Sequence, residues 1–240
     1  MNVFGAFTFG SLIKTFLPGL VWLLAIGILE ADIAQALHAE PFISSFVQSN
    51  EQASLVLAFP AAILLGLMSN IVVFMGVNDW LVRNPVRNAN AALFSLYDLI
   101  ATRIRDRCWQ TLALGDQKTR QDFDAYTDVE IIMLPALGPG NLAYVREQYW
   151  YHLEFQMNLL LSLVALFVGA AINAWASASS FGSFVVPFLI YLILFAPVWR
   201  WLLKAARKNY CRHISKMLSL MTGVLCPQPE GSKAAGCVTG

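Results

Sequence analysis

Four long apolar runs constrain this chain more than any other feature of its sequence. They occupy residues 16–36, 54–78, 153–176 and 181–203. Because an α-helix rises about 1.5 Å per residue, about 20 apolar residues are needed to cross the roughly 30 Å of hydrocarbon in a bilayer. The composition agrees, since 58% of the residues are hydrophobic and only 13% are charged, whereas about 25% are charged in soluble domains. The sequence predicts an all-α integral membrane protein with four transmembrane helices.

The first apolar run admits a second interpretation, a secretory signal. Lys14 precedes an apolar core, and AQA at 34–36 resembles a small-residue cleavage site. Glu30 and Asp32 make a poor cleavage region, however. The run is therefore interpreted as an anchor that stays in the membrane.

The segment before this run is also apolar and aromatic. Residues 1–15 carry Lys14 as their only charge, which is typical of a short helix lying in the membrane interface. Pro18 is then expected to open the first span, because proline is favoured in the first turn of a helix.

Lysine and arginine are distributed unevenly around the four runs. All of them lie before the first run, between the second and third, or at and after the end of the fourth, and the loops 37–53 and 177–180 contain none. By the positive-inside rule, both termini and the long central region are cytoplasmic. In a symmetric assembly, the acidic residues of the outer side would form a mouth that concentrates cations; these are Glu30, Asp32, Glu40 and Glu51.

Five segments follow from the runs and their charges. They are an interfacial segment (1–15), a first transmembrane hairpin (16–78), a cytoplasmic helical region (79–150), a second hairpin (151–203) and a basic cytoplasmic tail with a disordered end (204–240). The cytoplasmic parts are too small for a separate large catalytic domain, so they are predicted to be helical extensions that form one layer.

Within the central region, apolar residues at spacings of three and four predict an amphipathic helix over 88–114. Pro85 is expected to break or kink the chain before it, because proline disfavours a helical conformation at the preceding Asn84. The polar sequence at 115–128 is typical of a loop, and VEIIMLPALGPG at 129–140 of a short strand or an irregular plug.

A single helical rod is predicted over 142–175, with Asn141 as its cap. Polar residues recur along one face of this rod at steps of three or four, and those in the membrane are Glu154, Asn158, Ser162 and Asn173. A carboxylate or an amide in hydrocarbon normally faces a partner or water. The stripe therefore marks either a helix interface or the lining of a pore.

Two further observations bear on this choice. On the second span Ala62, Gly66 and Asn70 recur every four residues, a spacing that favours close helix packing with an amide that bonds across the contact. Glu154 is close enough to the headgroups to pair instead with Arg146 or a tail lysine.

Catalytic motifs are missing from the sequence. It contains no His-Glu-x-x-His, Gly-x-Ser-x-Gly, Gly-x-x-x-x-Gly-Lys or Gly-x-Gly-x-x-Gly. His152 and Glu154, two residues apart, diverge by about 200° on a helix and cannot share a small site. The four cysteines fall in regions predicted to be cytoplasmic, where free thiols are expected. We therefore expect no enzymatic activity, cofactor or metal site, and no duplex nucleic acid as a partner.

The cytoplasmic arginines are candidates for a different role. A guanidinium suits an anionic ligand, including a nucleotide, or an anionic lipid. The residues predicted to serve in this way are Arg103, Arg107, Arg120 and Arg146.

The layout resembles a known group of proteins. With cytoplasmic termini, two hairpins and an amphipathic arginine-bearing insert, NAALFSLYDLIATRIRDRCW at 90–109, the chain resembles the four-span membrane proteins of bacterial antiviral defence systems, such as the channel subunit of the Hailong system or the membrane subunit of the Kiwa system. The resemblance implies an effector or sensor in the bacterial inner membrane, controlled from the cytoplasmic side.

Two functional hypotheses result. The first is a homo-oligomeric channel-like or pore-forming effector, gated by an anionic ligand, because a ring of identical polar-striped helices encloses a path that four spans alone cannot. The alternative is a non-conducting scaffold or sensor subunit that recruits a cytoplasmic partner protein, in which the stripe is a helix interface.

The two hypotheses make opposite predictions for purified protein in liposomes. A channel lined by the stripe shows an ion flux that changes when Glu154→Ala and Asn158→Leu are combined. A scaffold shows no flux under any ligand, and loses its assembly when Asn158 is replaced by Leu. A flux that the joint substitution leaves unchanged argues against the lining role.

Overall fold

The computed structural model of the protein describes residues 9–49, 51–112, 117–137, 139–178 and 180–225, of which nearly all are helical and none forms a strand. The α-helices of this part of the chain are α1 (Phe9–Ala36), α2 (Phe42–Ser49), α3 (Glu51–Val72), α4 (Asn84–Ala89), α5 (Ala91–Leu112), α6 (Gln117–Tyr126), α7 (Val129–Leu137), α8 (Pro139–Val145), α9 (Tyr151–Ala176) and α10 (Phe181–Leu225). Wider π-helical turns occupy Val73–Val77, Asp79–Arg83 and Arg146–Trp150.

In the described part of the chain, four helical stretches are long and apolar enough to cross a membrane. They are Lys14–Ala36, Gln52–Val77, Glu147–Ala176 and Phe181–Leu225. The prediction of a helical chain with four such helices is confirmed for these residues. The rod predicted over 142–175 is helical throughout, but it contains the π-helical turn at Arg146–Trp150.

Several local predictions were wrong. The polar sequence at 115–128 was predicted to be a loop, yet α6 covers most of it, with Arg120 bonded to Asp124 one turn later. The sequence at 129–140 was predicted to be a strand or a plug, yet α7 forms there. Val129 and Met133, one helical turn apart, are only 3% and 1% exposed. Burial of these two side chains on one face explains why a helix forms here.

The two prolines that were expected to shape helix boundaries do not do so. Pro18 lies inside α1, which begins at Phe9. Residues 9–15 of the predicted interfacial segment therefore belong to α1 and do not form a separate helix. Residues 1–8 of that segment lie outside the described part. Asn84 before Pro85 is helical (φ −62°, ψ −47°). Pro85 has no N–H to donate to the carbonyl oxygen of Leu81 four residues earlier, and Arg207 Nε donates to that oxygen at 2.9 Å instead. The break lies earlier, at Gly76 (φ 163°, ψ −28°).

The chain divides into two compact units. Unit 1 comprises the chain up to Val86 together with Trp150–Tyr210, and unit 2 comprises Arg87–Tyr149 together with the chain from Cys211. Helix α10 contributes its first part to unit 1 and its last turns to unit 2.

In unit 1, α1 and α3 run antiparallel and their backbones touch. A Cβ atom added to Gly19 would lie 1.7 Å from the carbonyl oxygen of Ala62, and one added to Gly66 would lie 1.9 Å from that of Thr15. Each helix thus supplies one glycine against the backbone of the other. Small residues permit this approach, which is characteristic of helix pairs in membranes.

Helix α9 lies parallel to α1 and contacts α10 with its aromatic side chains. The ring of Phe167 stacks on Phe195 with centroids 4.7 Å apart, and Trp175 meets Phe184 edge to face. Large apolar residues remain exposed along the apolar part of α10, among them Ile193 at 69%.

Unit 2 has a hydrophobic core of its own. Helices α5, α7, α8 and the end of α10 contribute its buried residues, which are Ile100, Ala101, Ile104, Val129, Met133, Val145, Met217 and Met221. The amphipathic helix predicted over 88–114 is confirmed for Ala91–Leu112, which is α5, while residues 113 and 114 lie outside the described part. The buried face of α5 contributes the first three of these residues.

The glycine contacts generate a stability prediction. Gly19→Ala and Gly66→Ala each place a methyl group in the backbone of the opposite helix, so that α1 and α3 must separate. We expect each to lower the free energy of unfolding by about 1–3 kcal/mol, the usual cost of overpacking. Thermal unfolding of each variant and of the wild type in detergent micelles measures this change in the free energy of unfolding.

Gly27→Ala is the matched control on α1, because no atom lies within 4 Å of an added Cβ there. It should be neutral or slightly stabilising, since alanine favours helix. Equal losses for all three variants would contradict the close contact.

Candidate functional site

The polar stripe on α9 starts at Glu154, which is held on two sides. Lys14 of α1 forms an ion pair with its carboxylate, and Trp150 Nε1 donates a hydrogen bond to Oε1 at 2.8 Å. The ammonium group of Lys14 also lies 4.3 Å from the centre of the Tyr151 ring. Only 12% of the Glu154 side chain is exposed. The predicted partners were Arg146 or a tail lysine, and the partner found is Lys14.

One turn further along α9, Asn158 is 1% exposed. Its Nδ2 donates to Oδ1 of Asn70 on α3 at 3.0 Å. The hydroxyl of Ser69 donates to Oδ1 of Asn158 at 3.3 Å. Both polar atoms of the buried amide therefore have partners on α3.

The stripe continues towards the other end of α9 against α1. Ser162 is fully buried, and its hydroxyl donates to the carbonyl oxygen of Leu159 at 2.9 Å. A Cβ added to Gly169 would lie 3.4 Å from the carbonyl oxygen of Ala25. Asn173 Nδ2 then donates to Oδ1 of Asp32 at 2.6 Å.

The contacts of Glu154, Asn158 and Asn173 form a polar seam between α9 and the helices α1 and α3, whereas the Ser162 hydroxyl bonds within α9. We define the polar seam as Glu154, Asn158, Ser162 and Asn173 with their partners Lys14, Ser69, Asn70 and Asp32. Every predicted stripe residue lies in it, including Asn70 on α3. In this arrangement, the hydrogen-bonding capacity of the stripe is directed at helices of the same chain.

The residues predicted to form an acidic outer mouth have separate roles in the structure. Oε1 of Glu30 accepts a hydrogen bond from the backbone N–H of Ile43 at 2.9 Å, at the start of α2. Asp32 is 5% exposed and belongs to the polar seam. Glu40 is exposed. Glu51 begins α3, and its side chain lies outside the described part. Two of the four carboxylates are thus engaged by their own chain.

The arginines predicted to bind an anion differ in their surroundings within unit 2. Arg120 donates from Nε to Oδ2 of Asp124 at 2.8 Å and also bonds to Asp106. Its guanidinium lies 5.4 Å from the centre of the Trp109 ring. The hydrogen bonds to Asp124 and Asp106 raise the pKa of Arg120 above its ordinary value. Arg120 is therefore already neutralised by two carboxylates.

Arg103 and Arg107 are exposed, and neither guanidinium has an ion-pair partner among the described residues. The side chain of Arg146 lies outside the described part. Arg107 borders a cavity, next to Cys108 and Thr111.

Sequence reasoning missed Lys14 and Ser69 as parts of the site. A signal for Lys14 was present, because it is the only charge in the first 29 residues and therefore lacks a nearby partner in sequence. Ser69 precedes Asn70 directly and carried no periodic signal of its own. Asp32 was noticed, but it was assigned to the outer mouth rather than to α9.

The comparisons with known proteins return no relatives: no family model, no curated protein and no solved structure matches this chain. In the described residues, no group of three or more His, Cys, Asp or Glu side chains is placed to hold a metal ion.

The seam generates a double-mutant prediction. Asn158→Leu leaves Asn70 and Ser69 facing an apolar side chain, so we expect the free energy of unfolding to fall by about 1–2 kcal/mol, the range found for interhelical hydrogen bonds in membranes. Adding Asn70→Leu should restore part of the loss, because the amide left without its partner is removed as well. Unfolding of the wild type, the two single variants and the double variant in detergent gives the coupling energy between Asn158 and Asn70.

His152→Leu serves as the control, since His152 is exposed on the same helix. Strictly additive losses at Asn158 and Asn70 would show that the two amides are not bonded to each other.

Proposed function

We propose that this protein is a multi-pass membrane scaffold or sensor subunit that does not itself conduct ions, and that it recruits a cytoplasmic partner through unit 2. The observation that carries this proposal is the polar seam. Side chains that would have to face water in a pore are instead bonded to α1 and α3 of the same chain.

The seam supports a static role for unit 1. It is bonded at both ends, by Lys14 and Glu154 at one and by Asp32 and Asn173 at the other. Opening a water-filled path along this face requires separating α9 from α1, which breaks the Lys14–Glu154 ion pair and the Asn173–Asp32 hydrogen bond together. Until water has entered, the separated groups face hydrocarbon, where they are costly to strand.

Unit 2 supports the recruiting role. By the positive-inside rule, the distribution of lysine and arginine favours the cytoplasmic side for unit 2. Its helix α5 exposes Leu96 and Leu99, at 45% and 50%, together with Arg103 one turn further on. Exposed apolar side chains beside an unpaired arginine suit a protein interface, where arginine is enriched.

Placement in a bacterial inner membrane and a part in antiviral defence rest on the resemblance in layout alone.

Ion flux discriminates between this proposal and the gated channel. Purified protein is reconstituted into liposomes loaded with a potassium-sensitive dye and exposed in turn to buffer, ATP and inorganic phosphate. We expect the flux to equal that of empty liposomes under all three conditions. A flux above that level which the Asn158→Leu variant alters would overturn the proposal and make the channel the leading function.

Crosslinking tests the recruiting role. A photoreactive amino acid is placed at Leu99 of α5, or at Leu57, which is 54% exposed in the apolar helix α3. In irradiated cells, Leu99 should give a protein adduct of one defined mass that is absent at Leu57. Adducts at Leu99 with further copies of this chain alone would contradict a cytoplasmic partner.

A further inference from the structure

One face of α5 presents a mixed set of side chains. Ile104, Arg107, Cys108 and Thr111 follow each other at spacings of three, one and three residues, so they lie together on one side of the helix. Ile104 is buried, whereas Arg107 and Thr111 are exposed. The face therefore passes from apolar to charged within two helical turns.

This face forms one wall of a cavity inside unit 2. The opposite side is apolar, with Ile132 of α7 and the last residues of α10, Val224 and Leu225. The cavity has a volume of about 390 Å³. Small-molecule sites have volumes of about 300–1,000 Å³ and combine apolar walls with a few polar groups.

The charge at the rim indicates what the cavity accepts. Among the described residues, the guanidinium of Arg107 has no ion-pair partner, in contrast to Arg120, which two aspartates neutralise. A guanidinium stays protonated and offers a planar fork of N–H donors that matches a carboxylate or a phosphate. We propose that this cavity binds a small anionic amphiphile, with a carboxylate or phosphate group on Arg107 and an apolar body between α5, α7 and α10.

The apolar walls exclude simpler ligands of the same charge. Inorganic phosphate alone leaves the space beside Ile132, Val224 and Leu225 unfilled, and a neutral alkyl molecule leaves Arg107 unpaired. A molecule that has both parts satisfies both sides of the cavity. The inference rests on the proposed function, because it names the class of ligand that a sensor subunit would detect.

Cys108 lies in the cavity wall and reports on its occupancy. A protein with Cys211→Ser, Cys226→Ser and Cys237→Ser retains Cys108 as its only thiol. In nanodiscs, the rate of its reaction with a maleimide is measured with octanoate, octyl phosphate, octanol, inorganic phosphate or ATP. We expect octanoate or octyl phosphate to slow the reaction in a saturable manner, and the better of the two identifies the headgroup.

Arg107→Gln should raise the concentration of octanoate or octyl phosphate that gives half-maximal protection at least about tenfold. This is the effect of losing a charge-assisted hydrogen bond. Arg103→Gln is the matched control, one turn earlier on α5 and not among the residues that line the cavity, and it should leave the protection of Cys108 unchanged. A protein that retains only Cys211 controls for effects of the probes on the reagent. Equal protection by octanol, inorganic phosphate or ATP, or equal effects of the two arginine variants, overturns the proposal.

The competing occupant is the C-terminal segment 226–240, which follows Leu225 at the cavity wall. Removal of this segment should leave the protection by octanoate and its dependence on Arg107 intact. If removal of the segment speeds the Cys108 reaction, and octanoate protects neither the full-length nor the truncated protein, the segment is the occupant and the proposal is wrong. Ion flux is not part of this readout, so a conducting protein would overturn the proposed function without altering the labelling result.

Discussion

A helix that crosses a membrane carries its polar side chains into a medium without water, where each needs a partner from the protein. In this chain, α1, α3 and α9 belong to stretches that are long and apolar enough to cross a membrane, and their polar side chains bond to one another. Lys14 meets Glu154 near one end of the parallel pair α1 and α9, and Asp32 meets Asn173 near the other. The two contacts lie at nearly equal spacings along the two helices, so sliding one helix past the other breaks both at once.

The seam depends on how closely the helices approach. Gly19 and Gly66 let the backbones of α1 and α3 touch, and α3 then presents Ser69 and Asn70 within reach of Asn158. Serine and asparagine have short side chains, so their hydrogen bonds form only when the helix axes are close. Packing and polar pairing therefore support each other. The same residues that suggest a pore when read on one helix act as an interface once the neighbouring helices are in place.

Charge is used differently in the two units. In unit 1 the buried Glu154 is matched by Lys14, and in unit 2 Arg120 is matched by Asp106 and Asp124. Arg103 and Arg107 differ from these residues, because they lie on one helix, stay exposed and have no ion-pair partner in the described part of the chain. Unpaired guanidinium groups are available for recognition, and this contrast is why the proposed recognition surface lies on α5.

The sequence by itself determined the helical class, the four long apolar helices, the amphipathic helix at Ala91–Leu112 and the face of α9 that carries polar groups. Each of these follows from the length of an apolar run or from a helical period, which are local properties of the chain. It misjudged α6 and α7, because helix there depends on burial of Val129 and Met133 and on the pairing of Arg120 with Asp124.

Only the tertiary structure decided what the polar face of α9 meets. The helical period of α9 shows that Glu154 and Asn158 lie on the same face. The partner of Glu154, Lys14, is 140 residues away in the chain, and the partner of Asn158, Asn70, is 88 residues away. Contacts across such distances depend on which helices pack together and at what depth. The helical period of one segment contains no information about either.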